Sequence, residues 1–192
     1  MCVKQEEVMR IMADSGALLE GHFELRSGLH SDRFFQCANV LRFPRAAQKL
    51  CEALSDQMRA ALPAPVADAV ISPAMGGILV GHEIGRALDL RSIFAEKQDG
   101  KLVLRRFAIR AGERFVVAED VVTRGGRVQE TIDIVEKNGG KVAAVAFLVD
   151  RSGGMAKFPY PTFSLLQMTP VTYEPGQCPL CARGIPVVHP GS

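Results

Sequence analysis

The stretch RFVVAEDVVTRGGRVQETI, residues 114–132, places two adjacent acids and two glycines between an apolar run and a helical pattern. The apolar run predicts a buried strand with Glu119 and Asp120 at its carboxyl end. In the loop that follows, glycines let backbone N–H groups converge on one point, and the next helix adds its positive N-terminal dipole. Carboxylates beside such an anion site suit ribose hydroxyls or a magnesium ion carried by a diphosphate. The spacing therefore predicts a site for a phosphorylated sugar.

A purely structural role for this loop is also compatible with its sequence. Acids, a turn and glycines after a strand also occur where an α/β loop only changes direction, and for the loop alone this alternative stays open. Two further phosphate-binding patterns are absent from the sequence, namely GxxxxGK[ST] and a GxGxxG that opens a helix after a strand.

The remaining segments predict the elements that must position this loop. Helical periodicity covers residues 45–62, 77–88 and 128–140, and residues 1–20 form an amphipathic pattern that includes Leu18. Short apolar runs predict strands within residues 66–72, 92–97, 101–107, 114–122, 141–150 and 162–168. Strands that alternate with helices predict an α/β fold with a central, mostly parallel sheet flanked by helices. Ligands of such sheets bind at the carboxyl ends of the strands.

Length and charge narrow the class of protein. A chain of 192 residues is most simply one domain, and its formal net charge of +2 comes from Lys and Arg residues that are dispersed along the chain. A nucleic-acid or membrane-surface binder would concentrate its basic residues, so neither partner is expected. The apolar runs are too short to span a bilayer and the start has no signal-peptide pattern, which predicts a cytoplasmic protein. Five cysteines in such a chain predict free thiols.

Four ordered stretches carry a family resemblance. VVAEDVVTRGG, residues 116–126, resembles the phosphoribosyl pyrophosphate (PRPP) signature of the type I phosphoribosyltransferases. Residues 23–41, 72–88 and 147–154 resemble the orotate phosphoribosyltransferases in order and spacing, and the C-terminal CPLCARGIPVVHPGS is similar to tails of a shorter bacterial form. The resemblance covers nearly the whole chain.

The resemblance implies an activity and an architecture. The family joins orotate N1 to the ribose C1 of PRPP, which gives orotidine 5′-monophosphate and pyrophosphate with the help of Mg²⁺. It implies one type I phosphoribosyltransferase domain with a small N-terminal hood. We expect N-terminal helices and hood in about residues 1–62, the α/β core in about 63–170, and an irregular tail in about 171–192. It also implies a homodimer in which each subunit lends a lid to its partner.

The resemblance further assigns roles to individual residues. It places PRPP against the acids, the loop after them and a basic residue near the N-terminus: Arg26, Glu119, Asp120, Val121, Val122, Thr123, Arg124, Gly125, Gly126 and Arg127. Orotate is expected against Phe34, Phe35, Thr123 and Arg151, and the pyrophosphate against a loop formed by Ala74, Met75, Gly76 and Gly77. The catalytic candidates are Asp120 together with Lys97 and Lys101 of a lid at residues 96–106, in which Arg105 and Arg106 are weaker candidates. Magnesium is expected to be held mainly by PRPP, with no direct protein ligand.

Several of these residues are compatible with a simpler structural role when each is taken alone. Arg151 can be a surface arginine in a turn, Phe34 and Phe35 can belong to the core, and the lid can be a solvated hairpin. Arg124 and Arg127 also stand where the family pattern commonly has small residues. The Met75–Gly76 pair replaces an aromatic–lysine pair found in longer relatives, and the lid lacks the histidine of those relatives.

The CPLC stretch at residues 178–181 has a metal-like spacing but no second pair beside it in the sequence. Cys2, Cys37, Cys51 or His189 could complete a zinc site, although a thiol pair that is inert or redox-sensitive is the favoured interpretation. The other histidines, His22, His30 and His82, have no partner pattern and are expected on the surface or in loops. His30 alone draws attention, because it lies near the segment that resembles an orotate site.

Two other functions remain open on the sequence. A phosphoribosyltransferase for a purine or another base is the nearer one, and Arg151 argues against it because a neutral base offers no carboxylate to a buried guanidinium. A PRPP-sensing regulator that binds nucleic acid is the other. It would show a basic face or an added DNA-binding domain, and it would not need both Glu119 and Asp120.

Overall fold

The computed structural model describes residues 3–25, 27–169 and 171–189, and its elements follow the α/β order expected from the sequence. The helices are α1 Gln5–Asp14, α2 Ala38–Leu41, α3 Pro44–Ala61, α4 Gly76–Leu88, α5 Gly126–Lys137 and α6 Pro179–Ala182, with a 3₁₀ turn at Pro175–Gln177. The strands are β1 Leu18–Glu24, β2 His30–Phe35, β3 Ala69–Pro73, β4 Arg91–Gln98, β5 Lys101–Val103, β6 Arg114–Val122, β7 Lys141–Asp150, β8 Thr162–Gln167 and β9 Thr172–Tyr173.

Six strands form the central sheet in the order β5-β4-β3-β6-β7-β8. The strands from β4 to β8 in this order pair in parallel, and only β5 is antiparallel to its neighbour β4. The carboxyl ends of β3, β6 and β7 therefore lie at one edge of the sheet, with their loops side by side. The loop after Glu119 and Asp120, predicted to bind a phosphorylated sugar, follows β6 and therefore lies at this edge.

Side chains that alternate along the buried strands fill two separate cores. On one face, Val70 of β3 packs with residues of α1, α3 and α4, such as Leu54 and Ile84. On the other face, Ile71 of the same strand packs with residues of α5, such as Ile132. Both faces of the sheet are thus covered by helices, which explains why its central strands are apolar almost throughout.

The strands β1, β2 and β9 form a second, smaller sheet in the order β1-β2-β9. Among the described residues, none of its strands pairs with a strand of the central sheet. The strands of the smaller sheet are antiparallel, and β9 comes from the C-terminal tail. Further along the tail, the Val188 N–H donates to the His22 carbonyl at 2.8 Å, and the Glu24 N–H donates to the Val188 carbonyl at 3.1 Å. The predicted irregular tail is therefore joined to this N-terminal sheet along two stretches.

The strands β1, β2 and β9 of the smaller sheet were not among the expected elements, and the strand expected within residues 101–107 is limited to Lys101–Val103. Leu18 begins β1 and lies outside the N-terminal helix, which ends at Asp14. Helix α5 begins at Gly126, slightly earlier than the apolar periodicity indicated. The expectation that His22 and His30 are surface or loop histidines was wrong, since both lie in strands and their exposed fractions are 1% and 5%. His82 is exposed, as expected.

The expected free thiols are seen at four of the five cysteines: Cys37, Cys51, Cys178 and Cys181. Cys2 lies outside the described residues. Within residues 3–25, 27–169 and 171–189, no helix combines the length and apolarity that a membrane crossing needs.

Candidate active site

The two acids at the end of β6 form the centre of the site. Glu119 is 7% exposed, and its Oε1 accepts the Asp120 N–H at 3.1 Å. Asp120 Oδ1 accepts the Val121 N–H at 2.8 Å, which fixes that carboxylate at the sheet edge. Burial, and then the charge of Asp120, raises the pKa of Glu119, while the nearby Arg127 opposes the shift. Burial also raises the pKa of Asp120. The fold therefore favours a protonated carboxyl group within this pair.

The loop after β3 approaches these acids through glycines. A Cβ atom on Gly76 would stand 2.7 Å from Asp120 Oδ2, and one on Gly77 would stand 2.9 Å from Glu119 Oε1. Both separations are too short for a real side chain, so only glycine allows the start of α4 to lie against the carboxylates. The peptide bond between Ala74 and Met75, which precede these glycines, is cis. Met75 itself is 83% exposed.

The loop after β6 forms a concave site of about 250 Å³ at the N-terminus of α5. Gly125 caps the helix with φ 77°, a conformation that favours glycine, and a Cβ there would also meet the Phe158 ring at 3.0 Å. The first N–H groups of the helix have no partner within it and face this loop with the positive end of the dipole. The site is lined by Glu119, Val121, Val122, Thr123, Arg124, Gly125, Gly126, Arg127, Val128 and Glu130.

One guanidinium nitrogen of Arg127, Nη1, is buried at this site and has no hydrogen-bond partner among the described residues. A buried guanidinium nitrogen without a partner is costly, so this position favours an anionic ligand. The family pattern has small residues here, and the structure directs the added charge of the arginine into the same concave site as the helix N-terminus.

A second cavity, of about 210 Å³, lies between β2 and the end of β7. It is lined by Ser31, Asp32, Arg33, Phe35, Arg151, Met168, Thr169 and Val171. The Arg151 Cζ stands 5.6 Å from the centre of the Phe34 ring, and burial lowers the pKa of this guanidinium without removing its charge. Cys37 Sγ lies 3.9 Å from the Asp120 carbonyl oxygen, so the segment after β2 touches the acid-bearing strand end.

The turn that carries Arg151 depends on two polar residues that the sequence did not single out. Asp150 Oδ1 accepts the Ser152 N–H at 2.8 Å, and Ser152 Oγ accepts the Gly154 N–H at 3.1 Å. The Arg151 N–H itself donates to the Val122 carbonyl at 2.8 Å. Asp150 and Ser152 are 7% and 2% exposed, so they act as internal braces of the turn. An Asp two residues before a Ser and ahead of two glycines is the turn pattern that could have revealed them.

The expected lid is a β-hairpin made of β4 and β5. Lys97 pairs with Leu102 across the two strands, and Gly100 turns the chain with φ 84°. The Leu102 N–H donates to Glu130 of α5 at 3.3 Å, so the hairpin stands next to the cavity formed by the loop after β6. Lys97 and Lys101 are exposed, and within the described chain neither lines the two cavities. Arg106 is paired with Glu96 at 3.0 Å, while Arg105 is exposed.

The structure therefore brings most of the expected residues to one sheet edge, in two neighbouring cavities. Glu119 and residues 121–127 line the first cavity, and Gly76 and Gly77 lie against the acid pair. Phe35 and Arg151 line the second cavity, with Phe34 beside Arg151. Thr123 lines the first cavity and is not among the lining residues of the second within the described chain. Arg26 lies outside the described residues.

The raised pKa of Glu119 predicts a pH-dependent stability. In the unfolded chain this acid ionises near its ordinary value of 4.5, while in the folded protein it stays protonated to higher pH. The stability that it contributes is therefore present at low pH and is lost as pH rises through the folded pKa. Glu119→Gln cannot ionise, so we expect its free energy of unfolding to exceed that of the wild type by a margin that grows between about pH 5 and about pH 8.

Urea unfolding of the ligand-free protein at several pH values measures this margin. Glu130→Gln, at an exposed position of the same cavity, is the control and should track the wild type. A margin that stays constant with pH would contradict the raised pKa.

Comparison with known proteins agrees with this geometry. Residues 39–169 match the family model described as phosphoribosyl transferase domain. The chain is 50% identical over 191 residues to an orotate phosphoribosyltransferase of Heliobacterium modesticaldum, covering 99% of both chains. It is 47% identical over 191 residues to the same-named protein of Desulforamulus reducens, covering 99% of this chain and 98% of the relative.

Solved structures support the fold. An orotate phosphoribosyltransferase from Aeropyrum pernix superimposes with a TM-score of 0.70 at 24% identity, over 84% of this chain and 93% of that one. An adenine phosphoribosyltransferase from Thermoanaerobacter pseudethanolicus gives a TM-score of 0.61 at 22% identity, over 71% and 88%. The fold is that of the type I phosphoribosyltransferases, and it is shared by enzymes named for different bases. Because its full length matches relatives of one name, the chain belongs to the phosphoribosyltransferase family and, within it, to the orotate phosphoribosyltransferases.

Proposed function

We infer that this protein transfers the 5-phosphoribosyl group of PRPP to orotate, giving orotidine 5′-monophosphate and pyrophosphate in pyrimidine biosynthesis. The observation that carries this inference is the pairing of two sites at one sheet edge. One has an acid pair beside a glycine-rich helix N-terminus, and the other holds a half-buried arginine. The first suits a phosphorylated ribose and the second suits a small anionic base. The full-length relatives named above support the same reaction.

We propose that the loop at residues 123–127 binds the 5-phosphate. The N-terminus of α5 offers backbone N–H donors, and the unpartnered Nη1 of Arg127 supplies a positive charge. Glu119 and Asp120 would accept hydrogen bonds from the ribose hydroxyls, together with the adjoining backbone at Val121, Val122 and Arg124. Hydroxyl donors favour the ionised carboxylates, so sugar binding should release the proton that the pair holds. Arg26 remains a proposed PRPP contact on the family resemblance alone.

We propose that orotate lies in the cavity between β2 and the end of β7. Two arginines line this cavity, and Arg33 is already paired with Glu20 at 3.3 Å. Arg151 has no carboxylate partner among the described residues and can pair bidentately with a ligand carboxylate, while the hydrogen bonds of Asp150 and Ser152 hold its turn in place. Phe34 and Phe35 would contact the ring, and Thr123 would stand between orotate and the sugar. A ligand carboxylate would repay the desolvation of the guanidinium, which a neutral base cannot do. This argument favours orotate over a purine as the accepted base.

The chemistry that remains is the departure of pyrophosphate. Positive charge develops on the ribose and negative charge on the leaving group, so positioning and electrostatic stabilisation account for most of the catalysis. The loop at residues 74–77 would hold the pyrophosphate through its backbone, and the Asp120 carboxylate beside it would stabilise the cationic ribose. The donors at this edge are carboxylate oxygens, the type that Mg²⁺ prefers. Bound Mg²⁺ would neutralise charge on the leaving pyrophosphate, and we propose that PRPP supplies most of its ligands.

We propose that the β4–β5 hairpin completes the site of a second subunit. Lys97 and Lys101 are exposed on it and would place positive charge near the departing pyrophosphate when the hairpin lies over a partner's site. A closed lid would also exclude water while positive charge develops on the ribose, which protects PRPP from hydrolysis. The homodimer and a cytoplasmic location belong to this proposal and are supported by the family resemblance.

The direct test is an ultraviolet assay of orotate consumption by the purified protein with PRPP and magnesium. Adenine, hypoxanthine and uracil are run in parallel. We expect orotate, and none of the other bases, to be consumed, because the cavity lined by Arg151 suits a carboxylated base. This consumption should require both PRPP and magnesium. Consumption of another base in place of orotate would keep the sugar site but contradict the role of Arg151. No turnover with any base would favour a PRPP-binding regulator.

Arg151→Ala should impair orotate use selectively. The loss of a charge-assisted hydrogen bond of about 1.5–3 kcal/mol predicts a rise in the KM for orotate of about 10- to 150-fold, with the KM for PRPP nearly unchanged. Asp120→Asn should show the opposite pattern, weakening PRPP use. Arg151→Lys is the matched control for charge, since it keeps the cation but loses the bidentate fork. Equal effects of Arg151→Ala on both substrates would show that the carboxylate site is misplaced.

The shared lid predicts complementation between two defective variants. Lys101→Ala damages only the lid and Asp120→Asn only the sugar site, so a mixed dimer contains one site with neither defect. After equal mixing and subunit exchange we expect about one quarter of wild-type activity, because about half the dimers are mixed and each has one intact site. Mixing two preparations of the same variant is the control. Activity that never exceeds the average of the two variants would rule out a lid shared between subunits.

A further inference from the structure

A cluster far from the acid pair in the sequence has the composition of a metal site. The side chains of His22, His30, Cys178 and Cys181 each direct one ligand atom to a common point, and these atoms all lie within 4.8 Å of one another. They come from three parts of the chain: β1, the first residue of β2, and the turn that opens α6. We call these four residues the His–Cys cluster.

Three nitrogen–sulfur distances within the His–Cys cluster are close to those of a tetrahedral zinc site. Cys178 Sγ is 3.5 Å from His22 Nε2, while Cys181 Sγ is 3.7 Å from the same atom and 3.3 Å from His30 Nδ1. Zn–N bonds of about 2.0–2.1 Å and Zn–S bonds of about 2.3 Å put nitrogen and sulfur about 3.6 Å apart at tetrahedral angles. The two ring nitrogens are 2.8 Å apart, so they would separate by about 0.5 Å around an ion.

The hydrogen bonding of His22 prepares it to be a ligand. Its Nδ1 lies 2.7 Å from the Ile185 carbonyl oxygen, which can only accept, so Nδ1 carries the proton. The lone pair of Nε2 then points at the cluster. A ligating histidine in a metal site characteristically donates its other N–H in this way. Because Ile185 follows the CPLC turn, one loop supplies two sulfurs and the carbonyl that orients a histidine.

Burial indicates that the ion would be structural. His22, His30 and Cys178 are 1%, 5% and 3% exposed, and only Cys181 reaches the surface. Four protein ligands complete a tetrahedral shell and leave no open position for a substrate. Two thiolates and two imidazoles select zinc over the magnesium that suits the acid pair, because soft ligands disfavour hard cations.

An ion in the His–Cys cluster would attach the C-terminal tail to the N-terminal sheet. Among the described tail residues 171–189, Cys178 is the only buried one, so the tail buries little apolar surface of its own. It is nevertheless joined to the N-terminal sheet by β9 and by the hydrogen bonds of Val188. A short segment that lacks a hydrophobic core of its own is commonly stabilised by a disulfide or a bound metal ion.

We propose that His22, His30, Cys178 and Cys181 bind one structural Zn²⁺ that fixes the C-terminal tail to the N-terminal sheet. Cys2, Cys37, Cys51 and His189, which the sequence also allowed as ligands, are not needed. Cys37 contacts Asp120, Cys51 lies in the α3 core, and His189 stands 3.6 Å from Glu24. Cys2 lies outside the described residues.

Metal analysis of the full-length protein tests the proposal. Protein purified with a thiol reductant and without chelator should contain about one zinc per chain, and the Cys178→Ser/Cys181→Ser double variant should fall below about one tenth of that. Exposed His82→Ala and buried Cys51→Ala, one histidine and one cysteine outside the cluster, should keep wild-type zinc. Chelation should lower the thermal midpoint of the wild type, and added Zn²⁺ should restore it.

Cobalt substitution keeps the test valid if the double variant fails to fold. Wild-type protein loaded with Co²⁺ should show intense visible bands of tetrahedral cobalt and a thiolate-to-metal charge-transfer band in the near ultraviolet. The proposal is overturned if zinc-treated wild-type protein retains no metal after gel filtration, or if the cobalt spectrum lacks the thiolate band. Retention of zinc by the double variant, or a Cys178–Cys181 disulfide in the intact mass of freshly purified protein, would overturn it as well.

Discussion

Two neighbouring carboxylates at the end of a buried strand set the main constraint on this fold. Burial and their mutual repulsion make both ionised carboxylates unfavourable in the free protein. The pKa values of both are raised, and glycines alone fit beside them. The glycines at 76 and 77 exist because anything larger would displace a carboxylate. The same edge then concentrates opposite charge, from Arg127 and the α5 N-terminus, within one cavity. A bound sugar phosphate would offer hydroxyl donors to the carboxylates and negative charge to Arg127 and the helix N-terminus.

Much of this arrangement could be predicted because it is local in sequence. The strand, the acids, the loop and helix α5 follow one another within residues 114–137, and apolar periodicity with glycine placement defines each of them. The same applies to β3 with the glycines of α4, and to β7 with Arg151. Once parallel strands are inferred, their carboxyl ends must share an edge, so three separate motifs are brought together by topology.

What escaped prediction depends on contacts between distant segments or on single hydrogen bonds. No spacing rule relates His22 and His30 to Cys178 and Cys181, because the intervening chain is an entire α/β core whose path sets the distance. The neighbours of these histidines in sequence do not indicate their burial, since a tail more than 140 residues away provides it. The unpartnered Arg127 nitrogen could likewise be recognised only after the backbone around it was known. Leu18 shows a third cause of a missed boundary. An apolar residue that follows a helix fits both the helical periodicity and the start of a strand, so the sequence does not show where the helix ends.

The C-terminal strand has a consequence for how the protein is made. Ser31 Oγ donates to the Val171 carbonyl across 140 residues, and β9 pairs with β2 beside it. On the ribosome, the first two strands therefore emerge long before the partner that completes their sheet, whereas the helices and strands of the central sheet find neighbours close in sequence. The N-terminal sheet, whose strand β2 lines the cavity that holds Arg151, is therefore complete only after residues 171–189 have left the ribosome. A chain cut before residue 171 would then keep the loop after β6 but lack the strand β9 beside the Arg151 cavity.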